Sequence, residues 1–378
     1  MADLGLPGMS PTTPSQGRWF HRLVASSPFQ TWAARFPLTR GIVRREGAAM
    51  FDLVDGFCHS QVLLALVELG IPDQLMGRDS TVEALAVRAQ MAPERMQILL
   101  NAGVAIGILR RHRTGLFGVT WRGAALTGVP GLAGMILHHR TLYRDLENPV
   151  AFFRGETETE LAGFWPYVFG AGAAADPTVS QTYSQLMADS QVLVAADTLA
   201  AVSFAGTETL MDVGGGTGAF LAAAGTAWPQ LKLALFDLPA VAPGARARFE
   251  AAGMDARLRI HAGSFRDDFL PPGADTISLI RVLYDHADDT VRGLLACVFA
   301  ALPPGGRLVI SEPMTGGNRP ERAGDAYFAL YCLAMRTGQA RSAAQITDLL
   351  RDAGFTAITP ARVARPFVTS VITAVKPD

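Results

Sequence analysis

The stretch MDVGGGTGAF, Met211–Phe220, joins an apolar strand to a helical segment through a run of glycines. Gly214, Gly216 and Gly218 alternate along it, and glycine allows a backbone to take positive φ or to approach a ligand closely. The next apolar strand ends in FDLP, where Asp237 is placed to hold ribose hydroxyls. The pattern predicts a cofactor with a ribose at the carboxyl edge of a parallel sheet.

These glycines fit two cofactors, a nicotinamide dinucleotide and S-adenosylmethionine. The first is suggested by G-x-G-x-x-A, completed by Ala219. The second is favoured by Asp212, whose carboxylate precedes the glycines and can hold a cationic amino-acid group. GSF, Gly263–Phe265, ends the third strand, where an adenine can lie against Phe265. A cofactor without a pyrophosphate also has less need of a bare helix N-terminus.

The segment from residue 207 onward alternates short apolar strands with alanine-rich helical stretches, which is typical of a parallel sheet with crossovers. Five such strands are followed by TAITPARVA and FVTSVITAVK, close enough to form a hairpin. The predicted sheet therefore has seven strands and ends in a hairpin, which is one strand more than a plain dinucleotide-binding fold has. This arrangement indicates an α/β, Rossmann-like methyltransferase sheet, which tips the cofactor prediction towards S-adenosylmethionine.

The preceding region predicts helices in STVEALAVRAQ and APERMQILLNAGVAIGIL, followed by a hairpin in RRHRTGLFGVTWRGAAL. Helix, helix and hairpin form a winged helix, a fold used to bind DNA. The second helix is apolar on most sides, however, with Met96, Ile98 and Leu100 among its residues, whereas a helix that reads the major groove needs polar side chains. We therefore expect an α-helical winged-helix domain that packs or dimerises, and no nucleic-acid partner.

We expect four segments. They are an N-terminal arm (1–46), a winged-helix-like dimerisation domain (47–128), a helical linker that contributes to a substrate pocket (129–200), and a domain that binds S-adenosylmethionine (201–378).

The composition excludes several classes of protein. Of 378 residues, 49% are hydrophobic and the formal net charge is −1, which fits a large core and gives no general reason to expect nucleic acid. Cys58, Cys297 and Cys332 are far apart and lack metal-ligand spacing, as in a protein of a reducing cytosol without a bound metal. Neither a run of eighteen apolar residues nor a secretory signal is present, so we expect a cytoplasmic location.

Residues 17–45 carry six arginines, two tryptophans and three phenylalanines, and no acidic residue. Two interpretations remain open for this arm. It can pack on the other subunit of a homodimer, or it can make a peripheral contact with the inner membrane, where aromatic rings beside arginine suit the interface.

Four stretches, DVGGGTG, FDLP, GSF and RVLYDHADD, stand in the order typical of S-adenosylmethionine-dependent O-methyltransferases of the plant caffeate and animal hydroxyindole type. Residues 47–376 resemble this family, whose corresponding patterns include GDF and RVLHDWxD. A further stretch, YSQLMADS, resembles the family's F-x-x-x-M segment. The resemblance implies cofactor contacts by Asp212, Gly214, Gly216, Gly218, Asp237, Ser264, Phe265 and Arg281, and by Met187 and Ser190.

More narrowly, FQTWAARFPLTR, HHRTLYRDLENPV and GETETELAGFWPY resemble the carotenoid O-methyltransferases of purple photosynthetic bacteria. This implies a long apolar acceptor with a tertiary hydroxyl, the 1-hydroxy carotenoids hydroxyneurosporene or demethylspheroidene. Residues expected to line the acceptor site are His139, Trp165, Phe328, Tyr331 and Met335, with His138 and Tyr327 as further candidates. The aromatic stripe on DAYFALYCLAMRTG equally fits a hydrophobic core.

The chain departs from the family where the base should stand. The family's catalytic His is Tyr284 here, and the Glu of its GGRERT segment is Ala340 in TGQARS, while Glu312 in ISEP remains. A tertiary alcohol is far less acidic than a phenol, so a base active near neutral pH gains little. Orientation alone is worth about 7–11 kcal/mol. We expect Tyr284 to position the hydroxyl, and a late proton transfer to His286 or water.

Catalytic candidates are therefore Tyr284, His286 and Glu312. If the chain is already helical at Tyr284, His286 points elsewhere and lies at the surface, and Asp285, Asp288 and Asp289 belong to a helix start. Two alternatives to the carotenoid interpretation remain. One is a methyltransferase for another apolar acceptor, such as a polyketide or chlorophyll-type pigment, and the other is a non-catalytic winged-helix regulator that binds S-adenosylmethionine.

Overall fold

The computed structural model describes residues 18–164 and 177–378. Of the predicted site residues, Trp165 lies outside the described residues, and so does the side chain of Met187. The chain divides into two compact units, which are described separately. One contains residues 18–69 and 80–117, and the other contains residues 70–79 and 118–378. The four predicted segment boundaries stay a prediction.

The first half of the chain forms, in its described residues, helices and one short hairpin. Its elements are α1 (Arg18–Val24), α2 (Ser27–Arg35), α3 (Arg40–Val54), α4 (Gly56–Glu68), α5 (Ile71–Met76), α6 (Val82–Arg88), α7 (Pro93–Ala105), β1 (Leu109–Arg111), β2 (Phe117–Val119), α8 (Trp121–Gly128), α9 (Leu132–Asp145), α10 (Pro149–Phe153), α11 (Glu160–Phe164) and α12 (Pro177–Ala201). The predicted order of helix, helix and hairpin is confirmed in α6, α7 and the two-stranded sheet β1–β2.

Local chemistry explains where these helices begin. The Thr81 hydroxyl accepts a hydrogen bond from the Ala84 amide and caps α6, while Pro93 opens α7. Ser80, directly before this cap, pairs with Phe117 through two backbone hydrogen bonds.

The second half alternates strands and helices. Its elements are β3 (Thr209–Val213), α13 (Ala219–Ala227), β4 (Lys232–Asp237), α14 (Ala242–Ala251), β5 (Leu258–Ala262), β6 (Thr276–Ile280), α15 (Asp288–Ala301), β7 (Arg307–Glu312), α16 (Ala329–Met335), α17 (Ala343–Asp352), β8 (Thr356–Ala361) and β9 (Ser370–Val375). The stretch Arg322–Phe328 before α16 is π-helical.

The seven strands form one sheet in the order β5-β4-β3-β6-β7-β9-β8. β3 to β7 are parallel, and β9 runs antiparallel to both β7 and β8. The predicted seven-stranded sheet with its closing hairpin is therefore confirmed. Because β3, β4, β6 and β7 are parallel neighbours, their carboxyl ends meet along one edge. That edge carries the glycine turn, Asp237, Arg281 and Glu312.

The sheet is covered on both faces, and its strands are buried accordingly. Side chains alternate between the two faces with a period of two. In β3, Leu210 packs with α12, α13 and α14, while Met211 packs on the opposite side with α15 and α17. The rigid sheet between these layers fixes the edge on which the candidate site lies.

Among the described helices, none is by itself long and apolar enough to cross a membrane. One consecutive pair, α3 and α4, meets the length and composition criteria only when taken together, and the two helices are bent by 54°.

Candidate active site

The glycine turn after β3 forms a cradle, with side chains packed against one side and open space on the other. Gly214, Gly216 and Gly218 have φ values of +69°, +58° and +75°, which L-residues rarely adopt. A Cβ at Gly215 would lie 2.3 Å from Asp212 Oδ2. A Cβ at Gly216, in contrast, would meet no atom within 4 Å. Backbone is thus presented to open space at Gly216, as cofactor binding requires.

Asp212 lies beneath this turn and is fully buried. One of its oxygens, Oδ1, accepts a hydrogen bond from Ser278 Oγ at 2.6 Å, while Oδ2 has no hydrogen-bond partner among the residues described. Burial raises the pKa of Asp212 to about 7. An unpaired buried carboxylate oxygen is costly, and a cationic group would remove that cost. Asp212 therefore fits the amino-acid end of S-adenosylmethionine.

Asp237 ends β4 at the same turn. Its two oxygens accept hydrogen bonds from the amides of Gly216 at 2.6 Å and Leu238 at 2.7 Å. Burial raises the pKa of this carboxyl, and the two amides oppose that shift. Each oxygen keeps a lone pair, so the carboxylate can also accept ribose hydroxyls, as predicted from its position in FDLP.

The loop after β5 carries Ser264 and Phe265, the two residues predicted to border the adenine. The Ser264 amide donates to Asp268 Oδ2 at 2.8 Å, which shapes the loop after β5. The ring of Phe265 meets the imidazole of His286 edge-on, with centroids 5.3 Å apart. Phe265 therefore connects the loop after β5 to the loop after β6.

Arg281 is the strained residue of the site. It follows β6 with φ +59°, a left-handed conformation that costs energy for any residue with a side chain. Its guanidinium donates from Nη1 to Ser190 Oγ at 2.8 Å and from Nη2 to Tyr284 Oη at 3.2 Å. Arg281 thus joins a predicted cofactor residue to a predicted catalytic residue. Its place beside the adenine stays a prediction.

Tyr284 is buried in a 3₁₀ turn, Leu283–Asp285, and cannot act as a base near neutral pH. Burial raises the pKa of its phenol far above the usual value, and the nearby Arg281 only partly opposes this. The phenol stays neutral and its oxygen accepts from Arg281. Its hydrogen remains available to the neighbouring Asp285 carboxyl or to an acceptor oxygen.

Glu312, at the end of β7, holds this turn in place. Oε1 accepts from the amides of Val282 at 2.9 Å and Leu283 at 2.8 Å, and Oε2 accepts from the Tyr284 amide at 3.2 Å. Burial raises the pKa of Glu312 to about 7, while these three amides favour its ionised form. Because both oxygens are bound to backbone, the geometry supports a positioning role for Glu312.

His286 is buried, which corrects the expectation of a surface residue. The chain forms a 3₁₀ turn at Tyr284 rather than an α-helix, so the periodicity argument does not apply. His286 Nδ1 accepts from Arg266 Nη2 at 3.1 Å. Burial, followed by the charges of Arg266 and Arg341, lowers the pKa of His286 to about 4. A neutral imidazole with Nδ1 occupied carries its hydrogen on Nε2 and has no free lone pair for a proton.

Asp285 also departs from its predicted place. It lies in the buried 3₁₀ turn and not in the first turn of α15, which begins at Asp288 and contains Asp289 as predicted. Burial raises the pKa of Asp285 well above the usual range. Its Oδ1 has no hydrogen-bond partner within the described part of the chain.

Arg341 is a site residue that the sequence analysis missed. Its buried guanidinium donates to the carbonyls of Leu283 and His286, both at 2.9 Å, and to Asp288 Oδ1 at 2.7 Å. Arg341 thus binds carbonyl groups of the turn, whereas Glu312 binds its amides. The one sequence signal for Arg341 was its position directly after Ala340 in TGQARS. Its partners include backbone carbonyls, and a sequence pattern does not reveal such contacts.

The expected acceptor wall contains two histidine–tyrosine pairs. His138 Nε2 lies 2.8 Å from Tyr331 Oη, and His139 Nε2 lies 2.6 Å from Tyr327 Oη. Burial lowers the pKa of His139, and it lowers the pKa of His138 to about 4, so both rings are neutral near neutral pH.

The other residues expected to line the acceptor site differ in how deeply they are buried. The half-buried Phe328 packs edge-on against the ring of Tyr327, with centroids 4.8 Å apart. Tyr331 and Met335 belong to a buried cluster with Leu142 and other apolar residues. Met335 thus occupies the core position that the sequence left as an alternative, and its contact with an acceptor stays a prediction.

Comparison with known proteins identifies the family. The O-methyltransferase domain matches residues 143–356, and the O-methyltransferase dimerisation domain matches residues 51–127. The chain belongs to the O-methyltransferase family. The predicted enzyme class and S-adenosylmethionine dependence are thereby confirmed, and the dimerisation domain supports a homodimer.

The relatives of this O-methyltransferase include two with high identity. Demethylspheroidene O-methyltransferase of Cereibacter sphaeroides is 56% identical over 94% of this chain and 94% of its own. The enzyme of that name from Rhodobacter capsulatus is 50% identical over 98% of this chain and 92% of its own. Human N-acetylserotonin methyltransferase, solved with S-adenosylmethionine, has a TM-score of 0.76 at 25% identity and covers 88% of this chain and 98% of its own.

Proposed function

We propose that this O-methyltransferase transfers the methyl group of S-adenosylmethionine to the tertiary hydroxyl of a 1-hydroxy carotenoid, demethylspheroidene or hydroxyneurosporene. The high identity to two demethylspheroidene O-methyltransferases over nearly the whole chain carries this proposal. The neutral Tyr284 supports it, since an enzyme for phenols would profit from a base at this position.

The carboxyl edge of the sheet is proposed to hold the cofactor. Asp212 would face its amino-acid end, Asp237 its ribose, and Phe265 its adenine, with the backbone of the glycine turn between them. The remaining proposed contacts are Ser264, Arg281, Ser190 and Met187. When bound, S-adenosylmethionine supplies a methyl group on a sulfonium, which is itself a strong electrophile.

Orientation of the acceptor is the main task left to the protein. Arg281 fixes the Tyr284 phenol by donating to its oxygen. The phenol hydrogen can then be donated to the acceptor oxygen, which keeps a second lone pair for the attack. Because Glu312 and Arg341 hold the backbone of this turn from two sides, Tyr284 has little freedom to move. Such fixed orientation is worth about 7–11 kcal/mol.

The proposal is tested by incubating the purified enzyme with trideuteromethyl-labelled cofactor and a panel of acceptors, followed by mass spectrometry. The panel contains hydroxylated carotenoids, a polyketide phenol and a chlorophyll-type pigment. We expect the label on 1-hydroxy carotenoids at a single oxygen. Label on another acceptor only would replace the substrate, and cofactor binding without transfer to any acceptor would favour a regulator.

We also propose that α1 contacts the cytoplasmic face of the inner membrane, where such an apolar acceptor would be dissolved. Trp19 and Phe20 are 66% and 50% exposed and stand between Arg18 and Arg22. Arginine beside exposed aromatic rings matches an anionic lipid surface in both charge and polarity.

Flotation with phosphatidylglycerol vesicles tests this contact. The wild type is expected to float and to be released by high salt, and the double variant Trp19→Ser and Phe20→Ser is expected to stay in the soluble fraction. The matched control Trp121→Ser removes an exposed ring in another helix and should leave flotation unchanged. If the double variant floats as well as the wild type but no longer forms a dimer, α1 belongs to the subunit interface instead.

A further inference from the structure

Helix α9 carries two consecutive histidines, and each is bound to a tyrosine of the segment around α16. Tyr327 and Tyr331 are four residues apart, and their rings lie 6.2 Å from each other. His139 is bonded to Tyr327 and His138 to Tyr331, at 2.6 Å and 2.8 Å respectively. A neutral imidazole next to a phenol is a pair through which a proton can pass. Methyl transfer to an alcohol releases one proton, for which the site described above offers no evident acceptor.

The segment that carries Tyr327 also contacts the turn of Tyr284. Cys332 of α16 donates from Sγ to the Tyr284 carbonyl at 3.5 Å, and the ring of its neighbour Tyr331 lies 6.2 Å from that of Tyr327. The charge of Arg281 acts on the Tyr327 phenol, and the same guanidinium donates to Tyr284 Oη. These phenols therefore belong to one polar cluster that begins at Tyr284 and ends at α9.

The two pairs differ in how open they are. His138 and Tyr331 are buried, and Tyr331 packs in the apolar cluster with Leu142 and Met335. Tyr327, in contrast, is half-buried and stands in the π-helical stretch Arg322–Phe328. Such stretches are rare within helices and are frequent at functional sites. An acceptor hydroxyl can thus reach Tyr327 more readily than Tyr331.

We propose that Tyr327 and His139 form a relay that removes the proton of the acceptor hydroxyl; this rests on the proposed methylation of an alcohol. The acceptor oxygen forms a bond to the methyl carbon while the carbon–sulfur bond breaks and its electron pair stays on sulfur. As the bond to the methyl carbon forms, the oxygen becomes positively charged and its proton strongly acidic, so Tyr327 Oη takes this proton late in the reaction and passes its own proton to His139 Nε2. The sulfonium charge disappears as the imidazolium charge forms, and the proton later leaves to water.

The chemistry of each member suits its place in the relay. With its hydrogen on Nδ1, His139 accepts the Tyr327 hydrogen at Nε2, which leaves the Tyr327 oxygen free to accept from the substrate. Burial lowers the pKa of His139, so the ring is neutral before the reaction. Burial raises the pKa of Tyr327 to about 12, so the phenol conducts the proton without becoming a phenolate at rest.

Other groups in the site are less suited. His286 Nδ1 is occupied by Arg266, and the Tyr284 oxygen accepts from the Arg281 guanidinium, which cannot take a proton. Asp285 has an unpartnered oxygen but is enclosed with Glu312 and Arg281, whose charges act on it. The ring of His139 contacts Tyr143 on its own helix and Tyr327, and His138 is its neighbour in sequence. The charge of Arg281 acts on Tyr327.

The relay is tested by steady-state kinetics of His139→Gln and Tyr327→Phe at saturating cofactor, with the acceptor varied. Glutamine keeps a hydrogen bond to Tyr327 but cannot take a proton. We expect kcat to fall at least about tenfold in each variant with KM nearly unchanged, and the double variant to be no worse than either. The matched control Tyr143→Phe removes a phenol beside the same imidazole and should stay within about twofold.

The pH profile separates a relay from a structural role. In the wild type kcat should fall on acidification below the ordinary histidine value of 6.5, because protonated His139 cannot accept a proton. His139→Gln should lose this acid limb. An unchanged acid limb, or a kcat within twofold of the wild type, would overturn the relay while methyl transfer stands. A wild type that methylates no hydroxyl would instead overturn the proposed function, and the relay with it.

Discussion

Tyr284 stands where the family resemblance of the sequence predicts a histidine, and the burial of its phenol decides what it can do. A buried phenol next to Arg281 remains protonated, so it can orient an oxygen but cannot deprotonate one. The histidine two residues later does not replace the lost base. His286 is neutral, and Arg266 occupies its Nδ1.

The variant His286→Gln tests this assignment through stability and activity. Folded His286 has a lowered pKa, about 4 against 6.5, so the unfolded chain binds more protons between these values. Its contribution to stability is therefore complete above about pH 6.5 and is lost as the pH falls towards 4. In His286→Gln the slope of unfolding free energy with pH should decrease by up to about 1.4 kcal/mol per pH unit, measured by urea denaturation.

The activity of the same variant provides the second readout. If His286 is not the base, kcat should stay within about threefold of the wild type at saturating cofactor. A loss of a hundredfold or more, with the cofactor affinity intact, would restore His286 to the reaction.

At the scale of elements, two loops at the carboxyl edge define the site. The turn after β3 is closed by contacts beneath it, and the turn after β6 is held by Glu312 and Arg341. Each loop follows a strand of the sheet, and the turn after β3 faces open space at Gly216, where an added Cβ would meet no atom within 4 Å.

Replacement of Gly215 tests the turn after β3. A Cβ there would collide with Asp212, so Gly215→Ala should weaken cofactor binding at least about tenfold, or about 1.4 kcal/mol, in isothermal titration calorimetry. Gly293→Ala is the matched control, because a Cβ in α15 meets no atom within 4 Å. It should leave affinity unchanged and stabilise its helix by up to about 1 kcal/mol. Equal affinity in both variants would refute the cradle.

Replacement of Arg341 tests the turn after β6. Arg341→Lys keeps the charge but loses hydrogen bonds to the carbonyls of Leu283 and His286, so unfolding free energy should fall by about 1–3 kcal/mol together with kcat. The control Arg351→Lys alters an exposed pair with Asp348 and should cost less than about 0.5 kcal/mol. A fall in stability with full activity would make Arg341 purely structural.

The sequence predicted the elements better than the turns. Alternating glycines and a strand-end acid are local signals, so the cradle and Asp237 were predictable from spacing. The turn at Tyr284 was not, because a 3₁₀ turn whose amides donate to the carboxylate of the distant Glu312 replaced the assumed α-helix. Arg341 was missed for the same reason, since its partners lie more than fifty residues away.

In the whole molecule, we expect the exposed apolar surface of α3 to be covered by a second copy, since the chain contains the family's dimerisation domain. Met50, Phe51 and Leu53 are each more than 60% exposed in the single chain. The family's dimerisation domain begins at residue 51, within α3. Surface of this kind on an isolated chain marks an interaction site.

Sedimentation equilibrium tests the dimer. The wild type should sediment at twice the chain mass of 40.2 kDa, and Leu53→Asp should shift it towards a single chain. Phe269→Asp changes a side chain that is 93% exposed outside the dimerisation domain, so it should remain a dimer. Dissociation by Phe269→Asp alone would place the interface elsewhere.

The neutral Tyr284 favours a tertiary alcohol over a phenol as the acceptor, and a competition between the two kinds of acceptor measures this preference. The enzyme is given demethylspheroidene and N-acetylserotonin together with limiting labelled cofactor, and the ratio of their kcat/KM values is read from the two labelled products. We expect label almost entirely on the carotenoid, in the wild type and, at a lower rate, in Tyr284→Phe. Preferential methylation of the phenol by the wild type would contradict it.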